Sequence, residues 1–460
     1  MSEAFTHPYI PNSVPSVQQQ MLKEIGVSNI DDFFDVIPKA LRMKGELNLP
    51  KPLLSEYELK RHIDGILAKN RNDLLSFLGG GCWQHYVPAI CDEINGRSEF
   101  LTAYAGEPYE DHGRFQVLFE YVSMMAELLD MEVVNVPTYD GSQAAATSLR
   151  MAGRITNRPR VLVADTANPD RLKIVKTYLH PDMKVELFTH NPNSGQIDME
   201  DLSKKLGADV AAVYFENPVF FGFIETQGDK ITELAKKHGA LTVVGVNPIS
   251  LGVLAPPVSY GADIVCGEVQ PLGLHMFYGG ARAGFMACMD RPEFVREYPS
   301  RLFGIAPTIR GEWGFGDVAW ERTSFFDRDN AKEFVGTAAA LWGITAGVYM
   351  ALMGPKGMQE IGHGIMQRSR YATRKLAEIK GVKAPVFGGV SFCDVVVGFD
   401  GTGKTVKHIN EALLERGICG GQDLSKDFPG LGQSALYSFT EVHSLEDIHR
   451  LCDTLAVVLK

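Results

Sequence analysis

The sequence predicts an α/β protein: a large domain built on a mainly parallel sheet, followed by a small α+β C-terminal domain. Three observations carry that expectation. Between about residues 54 and 307, short apolar runs alternate with helix-like segments, the pattern of βαβ units. Several of these runs are apolar at nearly every position, as strands covered by helices on both faces are. From about Arg322 onward the order changes to a long apolar helix, then a strand-rich stretch with two further helices.

Taken in order, residues 1–53 read as an N-terminal helical arm. Met21, Ile25, Ile30 and Phe33 recur at helix-like spacing between Ser13 and Arg42, and Pro50 and Pro52 punctuate the end. The large domain is assigned to residues 54–321. Its candidate strands are Arg160–Ala164, Lys184–Phe188, Val210–Phe215, Leu241–Val246, Ile264–Val265 and Ala283–Ala287, with helices such as Lys230–His238 between them. The small domain, residues 322–460, starts with a helix predicted over Ala331–Met353. A β-rich stretch at Val390–Gly398, a helix at Val406–Arg416, a strand near Leu436–Thr440 and a last helix from Leu445 follow.

Composition narrows the function. A chain of 460 residues with 45% hydrophobic and 22% charged residues suits a folded protein with a sizeable core. The formal net charge of −11 argues against nucleic acid, whose affinity rests on clustered Lys and Arg. The seven cysteines are scattered without CxxC or HxxxH spacing, so neither a metal site nor a disulfide framework is expected, and reduced thiols in a cytoplasmic protein are. The opening MSEAFTHPYIPNSVPS lacks the basic start and apolar run of a signal peptide. Val335 to Met353 is interrupted by Gly and falls short of the roughly 20 apolar residues of a membrane span, so no membrane association is expected.

Four segments could carry chemistry. In Thr138-Tyr-Asp-Gly-Ser-Gln-Ala-Ala-Ala146, Asp140, Gly141, Ser142 and Gln143 precede an alanine-rich helix whose exposed N–H groups form an anion cradle suited to phosphate. Asp140 or Ser142 serves equally well there as an ordinary N-cap. Asn217-Pro218 and Asn247-Pro248 each end an apolar run, at the strand ends where open α/β sheets bind ligands, and turn chemistry alone accounts for such pairs too. The fourth segment runs from Cys266 to Gly280. Its titratable group is His275, either a structurally satisfied histidine or a functional one. No lysine occurs between Lys237 and Lys332.

At these segments the chain resembles subunit 1 (the α subunit) of the two-subunit glycine dehydrogenase (decarboxylating) family, the P-protein of the glycine cleavage system. The similar stretches are Tyr9–Asn12, Phe77–Ile90, Arg97–Tyr104, Tyr139–Gly141, Asn217–Gly222, Asn247–Gly252, Tyr260–Ile264 and Gly420–Leu424, so the resemblance runs nearly end to end. It implies a fold type I pyridoxal-phosphate-dependent transferase-like architecture. It also implies a homologous β subunit that carries the Schiff-base lysine, in an α2β2 assembly. The place of that lysine falls here near Gln270-Pro271-Leu272. Arginine cannot substitute, because its guanidinium stays protonated. No catalytic residue and no covalent pyridoxal phosphate are therefore expected in this chain alone. In the family's reaction the ring acts as an electron sink while glycine loses its carboxylate, and the aminomethyl group passes to the lipoyl arm of H-protein. Residues expected near cofactor or substrate are Tyr104, Glu110, His112, Asp140, Gly141, Ser142, Gln143, Asn217, Asn247, Gln270 and His275.

Two segments depart from the family. Arg322–Ala339 keeps Arg322, Arg328 and Ala331 of a signature close to Arg-Glu-Gln-His-Ile-Arg-Arg-Glu-Lys-Ala-Thr-Ser-Asn-Ile-Cys-Thr-Asn-Gln, but not its His, its Ser-Asn pair or its terminal Asn-Gln. Ala105–Gly113 is one residue shorter than its counterpart and is rich in titratable groups, as a solvated acidic loop or as a contribution to a partner's pocket. Pocket residues set specificity. Two alternatives to a glycine decarboxylase subunit therefore stay open: a related complex acting on another small amino acid or amine, and a non-catalytic regulatory or scaffold homologue.

Overall fold

The computed structural model describes residues 6–7, 9–45, 47–100, 112–277, 282–300, 302–317, 322–324, 329, 332 and 339–460. It divides into two compact units, residues 1–72 and 73–460.

In the first unit, α1 (Pro15–Ile25) opens on a proline at its first turn and ends at Gly26, whose φ of 83° is the left-handed conformation that closes helices. A 3₁₀ turn at Ile30–Phe34 is held by a reciprocal capping box between Asn29 and Asp32. Ser55 caps α2 (Glu56–Leu67) by accepting from the Glu58 N–H. None of these helices has a buried residue.

The second unit begins with β1 (Leu75–Ser76), α3 (Ala89–Asn95), α4 (His112–Leu129), β2 (Val133–Val134) and α5 (Gly141–Thr156). Regular alternation follows in β3 (Arg160–Ala164), α6 (Pro169–Leu179), β4 (Lys184–Phe188), α7 (Met199–Lys205), β5 (Val210–Glu216), α8 (Gly228–Lys237) and β6 (Leu241–Val246). Next come β7 (Ile264–Glu268), β8 (Gly284–Cys288), α9 (Pro292–Val295) and the hairpin β9 (Phe303–Pro307) and β10 (Trp313–Asp317). The chain ends in α10 (Ala340–Ala377), β11 (Asp394–Gly398), α11 (Val406–Leu414), β12 (Ile418–Cys419), β13 (Gln422–Asp423), β14 (Ser434–Ser438) and α12 (Leu445–Val458).

A seven-stranded sheet of order β2-β8-β7-β6-β5-β3-β4 is the centre of the unit. Strands β7, β6, β5, β3 and β4 run parallel, while β8 pairs antiparallel with both β7 and β2. Every residue of β5 is buried, which is why its sequence, VAAVYFE, shows no alternation of apolar and polar positions. β3, β4 and β6 have the bounds expected from the sequence. β7 extends to Glu268, beyond the expected Val265, because β6 and β8 both offer backbone partners there.

The predicted helix Ala331–Met353 needs correction at both ends. α10 starts at Ala340, with Ala339 as a non-helical cap, and of the stretch 331–338 only Lys332 is described. It then runs to Ala377 through a kink at Gly354 (φ 59°, ψ 179°). Gly354-Pro355 reads as a stop, yet proline suits a first helical turn, and the restarted helix buries Met358, Ile365, Ala372 and Leu376. The antiparallel sheet β11-β14-β13 shares a core with α11 and α12 in which Phe77, Val395, Tyr437, Leu413 and Leu451 meet. Among the described residues no helix is long and apolar enough to cross a membrane.

Candidate functional site

Chain order reverses across the sheet between β3 and β5: β4 lies on one side of β3 and β5 on the other. Such switch points open a crevice beyond the carboxyl ends of the strands, where α/β folds bind ligands. Here that crevice is lined by Glu216 at the end of β5, Asn247 after β6 and Glu268 at the end of β7. Asn168 and Arg171 from the start of α6, the loop Gly80–Trp83, and Phe392–Asp394 complete it. A roomier hollow of about 600 Å³ beside Gly239–Leu241 and Ala262–Asp263 lies at the amino ends of β6 and β7, away from the crevice.

The crevice is filled by its own polar groups. Arg171 Nη1 donates to Glu216 Oε1 at 2.6 Å and to the Tyr214 hydroxyl at 3.2 Å, all of them buried. Asn168 Nδ2 donates to the Gly80 carbonyl at 2.7 Å. The Trp83 indole donates to both oxygens of Asp394, at 3.2 and 3.0 Å. Burial pushes the Asp394 carboxyl up to about 6, although hydrogen bonds from the Trp83 indole and the Cys393 thiol pull the other way. Glu268 is 2% exposed and receives the Gly141 N–H at 2.9 Å and the Ala283 N–H at 2.7 Å. What remains open is a cavity of about 40 Å³. Drug- and cofactor-sized ligands occupy pockets of roughly 300 Å³ or more, so this space suits only a few waters.

The residues expected at the site separate into groups. Asp140 is the N-cap of α5, its Oδ1 accepting from the Gln143 N–H at 2.7 Å, while Gln143 Oε1 accepts from the Tyr139 N–H at 2.9 Å. Gly141 and Ser142 are buried in the first turn. Gln270 is fully buried and clamps the Trp83 loop: its Nε2 donates to the carbonyls of Trp83 (2.9 Å) and Leu274 (3.1 Å), and its Oε1 accepts from the Trp83 N–H at 3.1 Å. Asn247 caps the following 3₁₀ turn through the Ile249 N–H at 3.0 Å, and its Nδ2 is buried with no partner among the described residues. Asn217 instead bridges its own turn, pairing with the Glu225 backbone at 3.1 and 3.2 Å. His275 stands apart, exposed and 3.0 Å from Asp92. Tyr104 and Glu110 lie outside the described residues, as do most of the segments 105–113 and 322–339, and His112 is the first residue of α4.

The sequence reading missed Arg171, Glu216, Glu268 and Asp394. A signal was present: each carboxylate is a lone charge at one end of an apolar run, as in VAAVYFE, IVCGE and DVVVG. A strand end is a poor place to bury a charge unless partners are built around it.

A covalently held pyridoxal phosphate does not fit these residues. Among the described residues no lysine lines the crevice, the position nearest the expected lysine is a saturated amide at Gln270, and the first amide of α5 is already engaged. Among the described residues there is also no cluster of His, Cys, Asp and Glu able to hold a metal.

Comparison with known proteins places this geometry. The profile of the glycine cleavage system P-protein family matches residues 7–455. A probable glycine dehydrogenase (decarboxylating) subunit 1 from Staphylothermus marinus is 39% identical over 99% of this chain and 98% of its own length. Its counterpart from Saccharolobus solfataricus is 38% identical over 99% of each. A solved glycine decarboxylase (P-protein) of the glycine cleavage system, in inhibitor-bound form, superposes with a TM-score of 0.87 at 32% identity, covering 98% of this chain and 100% of that one. Lactobacillus brevis glutamate decarboxylase, at 13% identity and a TM-score of 0.68 over 91% of this chain and 95% of its own, shares the fold alone. The fold is thus that of the fold type I pyridoxal-phosphate-dependent transferases, and the chain belongs to the glycine cleavage system P-protein family.

Proposed function

We propose that this chain is the lysine-less α subunit of a two-subunit, cytoplasmic glycine decarboxylase. A homologous β subunit holds pyridoxal phosphate on its own lysine, and the pair assembles as α2β2. The complex releases CO₂ from glycine and passes the aminomethyl group to the lipoyl arm of H-protein. The observation that carries this reading is the filled crevice: Gln270 is spent on the Trp83 backbone near the place the resemblance gives to the lysine, and among the described residues no lysine lines the crevice. The subunit 1 relatives, at 39% and 38% identity over 99% of this chain, support the division into two chains.

The test is to purify the chain together with the homologous lysine-bearing subunit, reduce the complex with borohydride and map the tagged lysine by mass spectrometry. The tag should fall on the partner, and the complex should exchange the glycine carboxyl with bicarbonate when H-protein is added. A tagged lysine in this chain would overturn the assignment. The rebuilt segments 105–113 and 322–339 favour a second reading, a pair specialised for another small amino acid or amine. A substrate panel separates the two, because robust exchange with glycine alone eliminates the second.

A further inference from the structure

Glu268 is held by donors on both of its carboxylate oxygens. Its Oε2 accepts from the Gly141 N–H at 2.9 Å and from Arg282 Nε at 3.2 Å. Its Oε1 accepts from the Ala283 N–H at 2.7 Å and the Gln270 N–H at 3.2 Å. All these partners are donors, so a protonated carboxyl would press its own hydrogen against an N–H, and the arrangement calls for the carboxylate. Burial, with the nearby Asp140 adding to it, leaves the Glu268 carboxyl above the ordinary glutamate range, against the pull of Arg282 and the amides of Gly141 and Ala283.

The surroundings have the chemistry of an anion site. Gly141 is the first residue of the 16-residue α5, where unpaired N–H groups and the helix dipole favour negative charge. A Cβ at Gly141 would stand 3.0 Å from the Gly267 carbonyl and the Glu268 nitrogen, so the absent side chain is what lets the helix start sit on the end of β7. Arg282 supplies a cation to the same carboxylate oxygen that receives the Gly141 N–H, and its Nη1 stands 4.0 Å from Asp140 Oδ2.

We propose that Glu268 is a built-in anion: from within the chain, its carboxylate fills the cradle that the start of α5 and Arg282 present to a phosphate-sized anion, and so closes this crevice to phosphorylated ligands. The proposal goes beyond the subunit assignment and stands on this chain's own crevice, whichever subunit holds the cofactor and whatever the substrate.

The test uses the full chain as wild type, E268A and E268Q, with thermal midpoints in potassium phosphate and in potassium chloride of matched ionic strength. E268A should lose several degrees in chloride and regain most of that loss in phosphate, with a saturable dose dependence. Wild type and E268Q, whose side chains still fill the cradle, should show only the small general effect of phosphate. An E268A protein that gains no more from phosphate than wild type overturns the proposal, and so does a wild type that gains as much as E268A. If E268A does not accumulate as folded protein, E268Q decides by hydrogen exchange. Its Gly141 and Ala283 amides should exchange at least about tenfold faster than in wild type, and unchanged protection overturns the proposal. Lysine mapping on the complex reads the subunit assignment separately, so the two can fail independently.

Discussion

At the scale of single residues, the crevice is a set of buried charges that tolerate one another only in pairs. Arg171 and Glu216 meet at 2.6 Å with side chains 10% and 6% exposed. Removing one member strands the other without solvent, at a cost of about 3–5 kcal/mol, whereas replacing both with apolar groups of similar volume is close to neutral. R171M should therefore lower the urea-unfolding free energy by that amount, and R171M/E216L should recover most of it. Equal destabilisation by the single and double variants would show that the pair is not what the crevice is built around. Asp394 gives a pH signature. Its folded value of about 6 lies above the ordinary 3.8, so the folded chain binds a proton that the unfolded chain has released across that window. Asp394's contribution is fully present below the ordinary value and is lost as pH rises toward 6, by about 3 kcal/mol in total. D394N removes the titrating group, so stability measured against pH should fall less steeply over that interval than in wild type. Parallel curves would exclude Asp394 as a source of the slope.

At the scale of elements, the kink in α10 isolates a backbone effect. Gly354 combines φ 59° with ψ 179°, a region that side chains rarely enter, yet a Cβ there would meet nothing within 4 Å. G354A should cost about 1–3 kcal/mol through backbone strain alone. Gly222 has φ +94° and would also bring a Cβ to 1.7 Å from the Asp394 carbonyl. G222A should therefore destabilise clearly more than G354A in the same denaturation assay, and the reverse order would contradict both descriptions. The same contrast between local and distant causes explains what was legible in the sequence. β3, β4 and β6 are read at their observed bounds because each is a short strand-forming run, apolar in β3 and β6 and alternating in β4, closed by local turn chemistry. β12 and β13, two residues each, exist only because β1 and β14 lie beside them, and nothing local marks them. Asp140 and Asn247 were legible as helix-start and strand-end residues. The partners that fill the crevice were not, since Arg171 and Glu216 are 45 positions apart and Trp83 and Asp394 are 311 apart.

At the scale of the whole molecule, the two units differ in what holds them together. The hydrophobic clusters draw all their residues from positions 73–460, around the seven-stranded sheet and the C-terminal sheet. Among the described residues of 1–72 none is buried: Met21 is 43% exposed, Ile25 58% and Tyr57 69%, and neither α1 nor α2 buries a residue. Helices of 11 and 12 residues are marginal alone in water, because isolated helices shorter than about 12–15 residues barely persist even with favourable sequences. Without a core, nothing offsets the chain entropy of ordering them. An isolated 1–72 peptide should therefore show the circular dichroism of an unfolded chain. A protein of residues 73–460 should keep a cooperative thermal transition and most of the helical signal expected from α3 to α12. Loss of that transition on removing residues 1–72 would mean that the folding of the large unit depends on the small one, despite its self-contained clusters.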